Sequence, residues 1–433
     1  MKTNARALLS LLLLVLATIF LASCSGSYNC QVTFGSSTCT PGGSGSGGGG
    51  TGGGGGGSSA AVFAYAVDQG GTLDGYTLNT KAGTFQATSG YTAPTIPTND
   101  QGVGMVIAQK QFVYTVFELT GAVYGWSVGS GGALTALTTG FPLALSLDAP
   151  IVGFNEYNVA TNPAGTLLFI SSTGADRIFV FTISTAGALE QVTGSPFTTP
   201  FEPGNLTTDG LGNYLYATMA VSGEHQGEGI MAYSIGTGTN LGALTVVNGS
   251  PFNFPMWQVQ GDPSGSFLIG TTGSNLGLTG ADDLHLYVFS ISSTTSAAPG
   301  ALTQVPNSST TYSPFNIAIQ PTSTGGEFVY SFSVNDTDSG YNPIEGFSLS
   351  TAGALSELTS SPFGTIATPT GLGSWGQFDQ SGAYLFVYSS LSTGGTTTTQ
   401  LGVWDAGTGG ALTEPISPAT LTTPGYWAVT DPQ

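Results

Sequence analysis

From residue 60 onward, apolar and polar side chains alternate in short runs, each closed by Gly, Pro, Asn or Asp. A period of two with such punctuation predicts short β-strands joined by tight turns. Phe63-Ala64-Tyr65-Ala66-Val67, Leu167–Ser171 and Phe328–Phe332 are typical runs. No stretch beyond the first 24 residues carries the 3.6-residue period of an amphipathic helix, so the chain reads as all-β.

The runs repeat as a block. A Gly-Ala-Leu turn starts at Gly132, Gly187, Gly242, Gly300, Gly353 and Gly410, with a degraded first copy at Gly83. Successive copies lie 49, 55, 55, 58, 53 and 57 residues apart, a spacing that marks a propeller or an array. Each block predicts four strands. Strand A falls at 103–109, 157–163, 204–210, 257–263, 315–321 and 375–381, and strand B follows a turn. Strand C is an apolar-x-aromatic run, and strand D starts at Ala-Leu and often ends in Ser-Pro-Phe, at 195–197, 250–252 and 361–363. The first block lacks a strand A, whereas the last is followed by Tyr426–Pro432, which aligns with the other A strands. A linear array would leave that strand unpaired at an open edge. A closed ring uses it to complete the first sheet. The expectation is one seven-bladed β-propeller over 60–433, its four-stranded blades closed by the C-terminal strand; a pair of sandwiches or a β-helix leaves the split block unexplained.

Composition narrows the function classes. Of 433 residues 40% are hydrophobic and only 7% charged, which excludes a disordered chain. The 67 Gly and 23 Pro starve helices and supply turns. Removing a leader that holds Lys2 and Arg6 leaves 24 acids against three bases, Lys81, Lys110 and Arg177. Nucleic-acid binding needs cations to displace the counterions of phosphate, so that class is excluded.

Residues 1–23 read as a signal peptide: a basic start, then an apolar run from Leu8 to Ala22, shorter than a membrane-spanning helix requires. Leu21-Ala22-Ser23-Cys24 resembles the lipobox of bacterial lipoproteins, which implies acylation of Cys24 and an exported chain anchored at the outer membrane or cell surface. Membrane contact is then through the lipid alone. Outside the cytoplasm Cys30 and Cys39 are expected to form a disulfide. The Gly/Ser-rich stretch from Pro41 to Ser59 completes a tether over 24–59, its flexible part reaching about 25 Å.

Tyr65-Ala66-Val67-Asp68, Tyr216-Ala217-Thr218 and Val329-Tyr330-Ser331-Phe332, with the Gly-Ala-Leu-Thr and Ser-Pro-Phe copies, resemble bacterial lactonase-type propellers, which include 6-phosphogluconolactonase-like enzymes and YVTN-repeat surface proteins. The resemblance covers about 60–433 and implies the fold. Enzymatic members carry His and Arg in the stretch entering strand A. The matching stretches here, Pro203-Gly204-Asn205, Pro255-Met256-Trp257 and Ser313-Pro314-Phe315, contain neither, so no catalytic residue transfers.

Lactone hydrolysis needs a base and donors for a developing oxyanion. The face formed by D–A and B–C loops, where such propellers bind, receives Arg177 as its one base and 15 of the 24 acids, among them Asp100 and Glu345. Two B–C loops of neighbouring blades hold both histidines, in Glu224-His225 and Asp283-Leu284-His285; Glu224, His225, Asp283 and His285 are the candidate acid/base or divalent-cation cluster, against solvated loop residues. Asp336 and Asp338 stand at alternate positions before Gly340, a partial calcium-loop pattern that is equally an Asx-rich turn. Trp126, Trp257, Trp375, Trp404 and Trp427 fall in predicted strands and are expected in the core.

The reading is a lipid-anchored envelope propeller, monomeric in its head, that acts as a non-catalytic binding module for a protein, saccharide or small molecule and needs no cofactor beyond a possible divalent cation. A lactonase-like hydrolase or cyclase with a divergent site is the alternative. A structural surface module is the third.

Overall fold

In the computed structural model, residues 33–34 and 61–430 are described, except 69–71, 81–83, 90, 95, 97–99, 101, 146–156, 220–228, 273–285, 307–313, 322–326, 334–341, 367–374, 394–395 and 424. Alternation does build antiparallel strands. Ala61–Asp68 pairs along one edge with Leu73–Asn79, which pairs in turn with Thr84–Ala87. Its other edge takes Gly425–Thr430, with Ala66 opposite Trp427 and Tyr65 opposite Ala428. The C-terminal strand therefore completes blade one, as the split block predicts.

The described residues form seven sheets in the order A-B-C-D. Blade two starts at Gly102–Ala108, blade three at Tyr157–Thr161, blade four at Pro203–Thr208, blade five at Gln258–Gly261, blade six at Pro314–Ile319 and blade seven at Trp375–Phe378. The core lies in layers between successive blades. Val62, Ala64 and Ala66 of blade one pack with Phe386, Leu401 and Val403 of blade seven, so apolar burial closes the ring as well as hydrogen bonding. Of these, Val62, Phe386, Leu401 and Val403 each contribute about 1.5–3 kcal/mol when buried. Trp126, Trp257 and Trp404 are buried and Trp375 is partly so, while the side chain of Trp427 lies outside the described residues.

The repeated Gly-Ala-Leu turn is a seam between blades. Gly132, Gly187, Gly242, Gly300, Gly353 and Gly410 all adopt φ near +79° or +80°, where a Cβ is strained. A Cβ on Gly132 would also meet Phe63 of the preceding blade at 2.4 Å. Two residues along, the Tyr65 hydroxyl donates to the Gly132 carbonyl at 2.8 Å. Tyr114 donates likewise to Gly187, Tyr216 to Gly300 and Tyr330 to Gly410. The aromatic of strand B thus covers the bare glycine, and the tyrosine fixes its carbonyl.

Strand D differs from the single run read from sequence. In blade three it is two pieces, Leu189–Gln191 and Phe197–Thr198, both paired with strand C at Arg177–Ile183. Between them lies the cis peptide Ser195-Pro196, where the chain leaves the ladder. The freed strand-C donor is recovered by the serine: Ser195 Oγ accepts the Val180 N–H at 2.9 Å, and Ser250 Oγ accepts that of Ala232 at 2.9 Å. The Ser-Pro-Phe motif is this interruption and its repair.

Candidate functional site

Each A strand is the inner strand of its sheet, packed beside the A strands of the neighbouring blades, and ends at an A–B corner. Four corners share a chemistry that the sequence reading passed over. Asn162, Asp209, Asp262 and Asp379 turn their side-chain oxygens back on the start of strand B, accepting the N–H of Leu167, Tyr214, Phe267 and Tyr384 at 2.6–2.8 Å. The Ser264 and Ser381 hydroxyls donate to Asp262 and Asp379. These three carboxylates are 0–1% exposed, so they serve the backbone and present little charge outward. Burial pushes the Asp209 carboxyl above its ordinary range against the backbone bonds that lower it. The signal that could have found them is the recurrence of Asn or Asp five residues before the strand-B aromatic or leucine in these four blades.

The corners surround a cavity of about 720 Å³, within the size of small-molecule sites. Blades two to seven all contribute. Its walls carry the amides Gln109, Asn162, Gln260, Gln377 and Gln380, the hydroxyls Thr161, Thr207 and Thr208, and backbone at Gly165, Gly210, Gly261 and Gly376. Lys110 is the one basic side chain among the lining residues, and no His, Arg or Cys is among them. Gln380 Oε1 is buried with no hydrogen-bond partner among the described residues. The Gln109 amide donates to the Ile183 carbonyl of the next blade at 3.3 Å, which holds the corner that carries Lys110. Such a surface can hydrogen-bond a neutral polar molecule; it offers one cation to an anion and no imidazole to a reaction.

The cavity lies at the A–B corners, on the face opposite the D–A and B–C loops favoured from sequence. On that other face several expected acids do something different. Asp100 is 4% exposed and accepts the N–H groups of Leu119 and Thr120 and the Thr120 hydroxyl at 2.6–3.0 Å, capping the B–C turn. Glu345 is 1% exposed within strand C and accepts the Ser331 hydroxyl at 3.3 Å. Neither is solubilising surface charge. Glu224, His225, Asp283 and His285, the pair Asp336 and Asp338, and Cys24, Cys30 and Cys39 all lie outside the described residues. Among the described residues no cluster of three or more His, Cys, Asp or Glu is placed to hold a metal, and no helix is long and apolar enough to cross a membrane.

A second ionisable pair was invisible in sequence. Glu327, at the start of strand B in blade six, hydrogen-bonds Asp262 of blade five and Ser264. Burial first, and the Asp262 charge second, raise the Glu327 carboxyl to about 7.

Residues 62–253 match the family described as lactonase, 7-bladed beta-propeller. None of the curated proteins matches. Among solved structures the chain is similar to a provisionally named 6-phosphogluconolactonase from Bacteroides uniformis, at 15% identity and a TM-score of 0.57, covering 86% of this chain and 100% of that one. A provisionally named 6-phosphogluconolactonase from Bacteroides fragilis gives 16% and 0.55, over 86% and 98%. The periplasmic gluconolactonase of Pseudomonas aeruginosa gives 12% and 0.55, over 86% and 98%. At these identities the likeness is one of fold. With the ring closed by strand pairing, the chain is a seven-bladed β-propeller whose first four blades match the lactonase family.

Proposed function

We propose that this propeller is a binding module held at the bacterial envelope by a lipid on Cys24, and that its ligand occupies the axial cavity at the A–B corners without being chemically changed. The observation that carries this reading is the character of the wall: neutral amides, hydroxyls and backbone from six blades, one lysine, two aspartates whose carboxylates are bonded to their own corners, and neither histidine nor arginine. A neutral ligand with several hydroxyl or carbonyl groups would find donors and acceptors on every side, as pockets that fix orientation by a few convergent polar groups do. Asp209 and Asp379, both buried, shape the corners and turn their carboxylates onto the strand-B backbone.

A second reading is favoured by the lactonase-family match over residues 62–253. It makes the chain a lactone hydrolase working from the opposite face, through Glu224, His225, Asp283 and His285. Calorimetry with a panel of neutral sugars and glucono-1,5-lactone, combined with a lactone-hydrolysis assay, separates the two. The binding reading expects saturable binding that Gln260→Ala and Gln377→Ala weaken at least tenfold, with no turnover. Turnover that survives both substitutions and is lost in His225→Ala would replace it with the hydrolase.

A further inference from the structure

Blade seven ends differently from its neighbours. Outer strands of blades two to six begin with three-residue pieces such as Leu134–Ala136 and Leu244–Val246, and that of blade one has four residues, Thr84–Ala87. Blade seven instead has a twelve-residue outer strand, Leu412–Thr423. A long outer strand is a template for pairing with another chain segment. Two prolines blunt its first part. Pro415 and Pro418 lack the N–H, and both fall where the register with strand C shifts, between the pairs Asp405↔Thr413, Val403↔Ile416 and Leu401↔Ala419. In the proline-free end, 419–423, Ala419, Thr420 and Leu421 pair in regular register with strand C, which leaves the other edge to a further strand. Thr33 and Phe34 lie on that end, paired antiparallel with Thr423 and Leu421.

We propose that the open end of blade seven is a strand-addition site filled by the chain's own N-terminal segment around Thr33–Phe34, and that this latch turns the blade-seven rim toward the membrane. The sequence spacing gives it reach. Thr33 lies nine positions after Cys24, at most about 30 Å when fully extended. Without the latch the first described strand begins at Ala61, 37 positions from Cys24. The membrane-facing part rests on the lipid at Cys24; the strand addition does not.

Hydrogen exchange read by mass spectrometry on the full chain tests the latch. Replacing Thr33 and Phe34 with proline removes their donors without touching the propeller, so amides of 419–423 should exchange at least tenfold faster while those of Leu167–Ser172 stay unchanged. Equal exchange at 419–423 in both proteins overturns the latch. Protection that fades on dilution assigns the site to a second copy and overturns the intramolecular occupant. For orientation, fluorophores on Thr413→Cys and Thr245→Cys are compared in the lipidated chain on vesicles carrying headgroup-quencher lipids. Stronger quenching at Thr413, on blade seven, is expected. Equal quenching overturns the membrane-facing part and leaves the latch to the exchange result.

Discussion

The seam between blades one and two and the seam between blades three and four are both packed with buried apolar side chains, yet of the two only the first carries a hydroxyl latch. Tyr65 reaches the Gly132 carbonyl of the next blade. Phe169 occupies the same register in blade three and is fully buried, but has no hydroxyl to offer Gly242. Around Gly242 the covering side chains are the aliphatic Leu167, Val180 and Val192, where Gly132 meets the ring of Phe63. Burial is therefore sufficient to close a seam. The tyrosine adds a directional bond that sets how one blade is rotated against the next, and a left-handed glycine is needed at both.

The largest effect expected from breaking this arrangement is at the glycine. Gly132→Ala combines a left-handed alanine with overlap against Phe63, and should cost about 3 kcal/mol in chemical denaturation. Gly140 has φ +80° and open space around its Cβ position, so Gly140→Ala should cost only about 1 kcal/mol. Equal costs would mean that the seam contact contributes nothing.

The latch comes next. Tyr114→Phe leaves the buried Gly187 carbonyl without its 2.7 Å donor and should cost about 1–2 kcal/mol. Phe169→Tyr should gain up to about 1 kcal/mol if a hydroxyl there reaches Gly242. A Tyr114→Phe protein as stable as the wild type would remove the hydroxyl from the account. Ser250→Ala, which orphans the Ala232 N–H at the strand-D interruption, should cost about 1 kcal/mol by the same measurement.

The smallest effect is one of pH. Glu327 holds its proton more tightly when folded, rising from 4.5 to about 7. The folded state then binds more protons between those values, so stability falls as pH rises through that window and the penalty is complete above it. Thermal melts should show Glu327→Gln more stabilised relative to wild type at pH 8 than at pH 5. A constant difference would mean that Glu327 ionises as freely in the folded chain as in the unfolded one.

The ring was legible because its signals are local and repeated. Gly-Ala-Leu recurs at every seam but the degraded first, and the missing strand before Phe63 together with the surplus one at Tyr426 announces closure. The cavity was not legible. It gathers residues from Ile107 to Gln380, among them ordinary glutamines, threonines and glycines, and only the ring brings them together. Glu327 and Asp262 meet across a blade seam for the same reason. Glu345 and Asp100 were misread because a loop position on paper gave no hint of burial beneath neighbouring backbone. Thr33–Phe34 is too short to show alternation, so its pairing could not be read from pattern.

Closure by the C-terminal strand positions every other feature, and hydrogen exchange on Ala61–Asp68 tests it most directly, comparing the full chain with one ending at residue 424. The account predicts that these amides in the full chain are as protected as those of Leu167–Ser172, and that the protection falls by orders of magnitude once Gly425–Thr430 is gone. Unchanged protection in the shortened chain would contradict it.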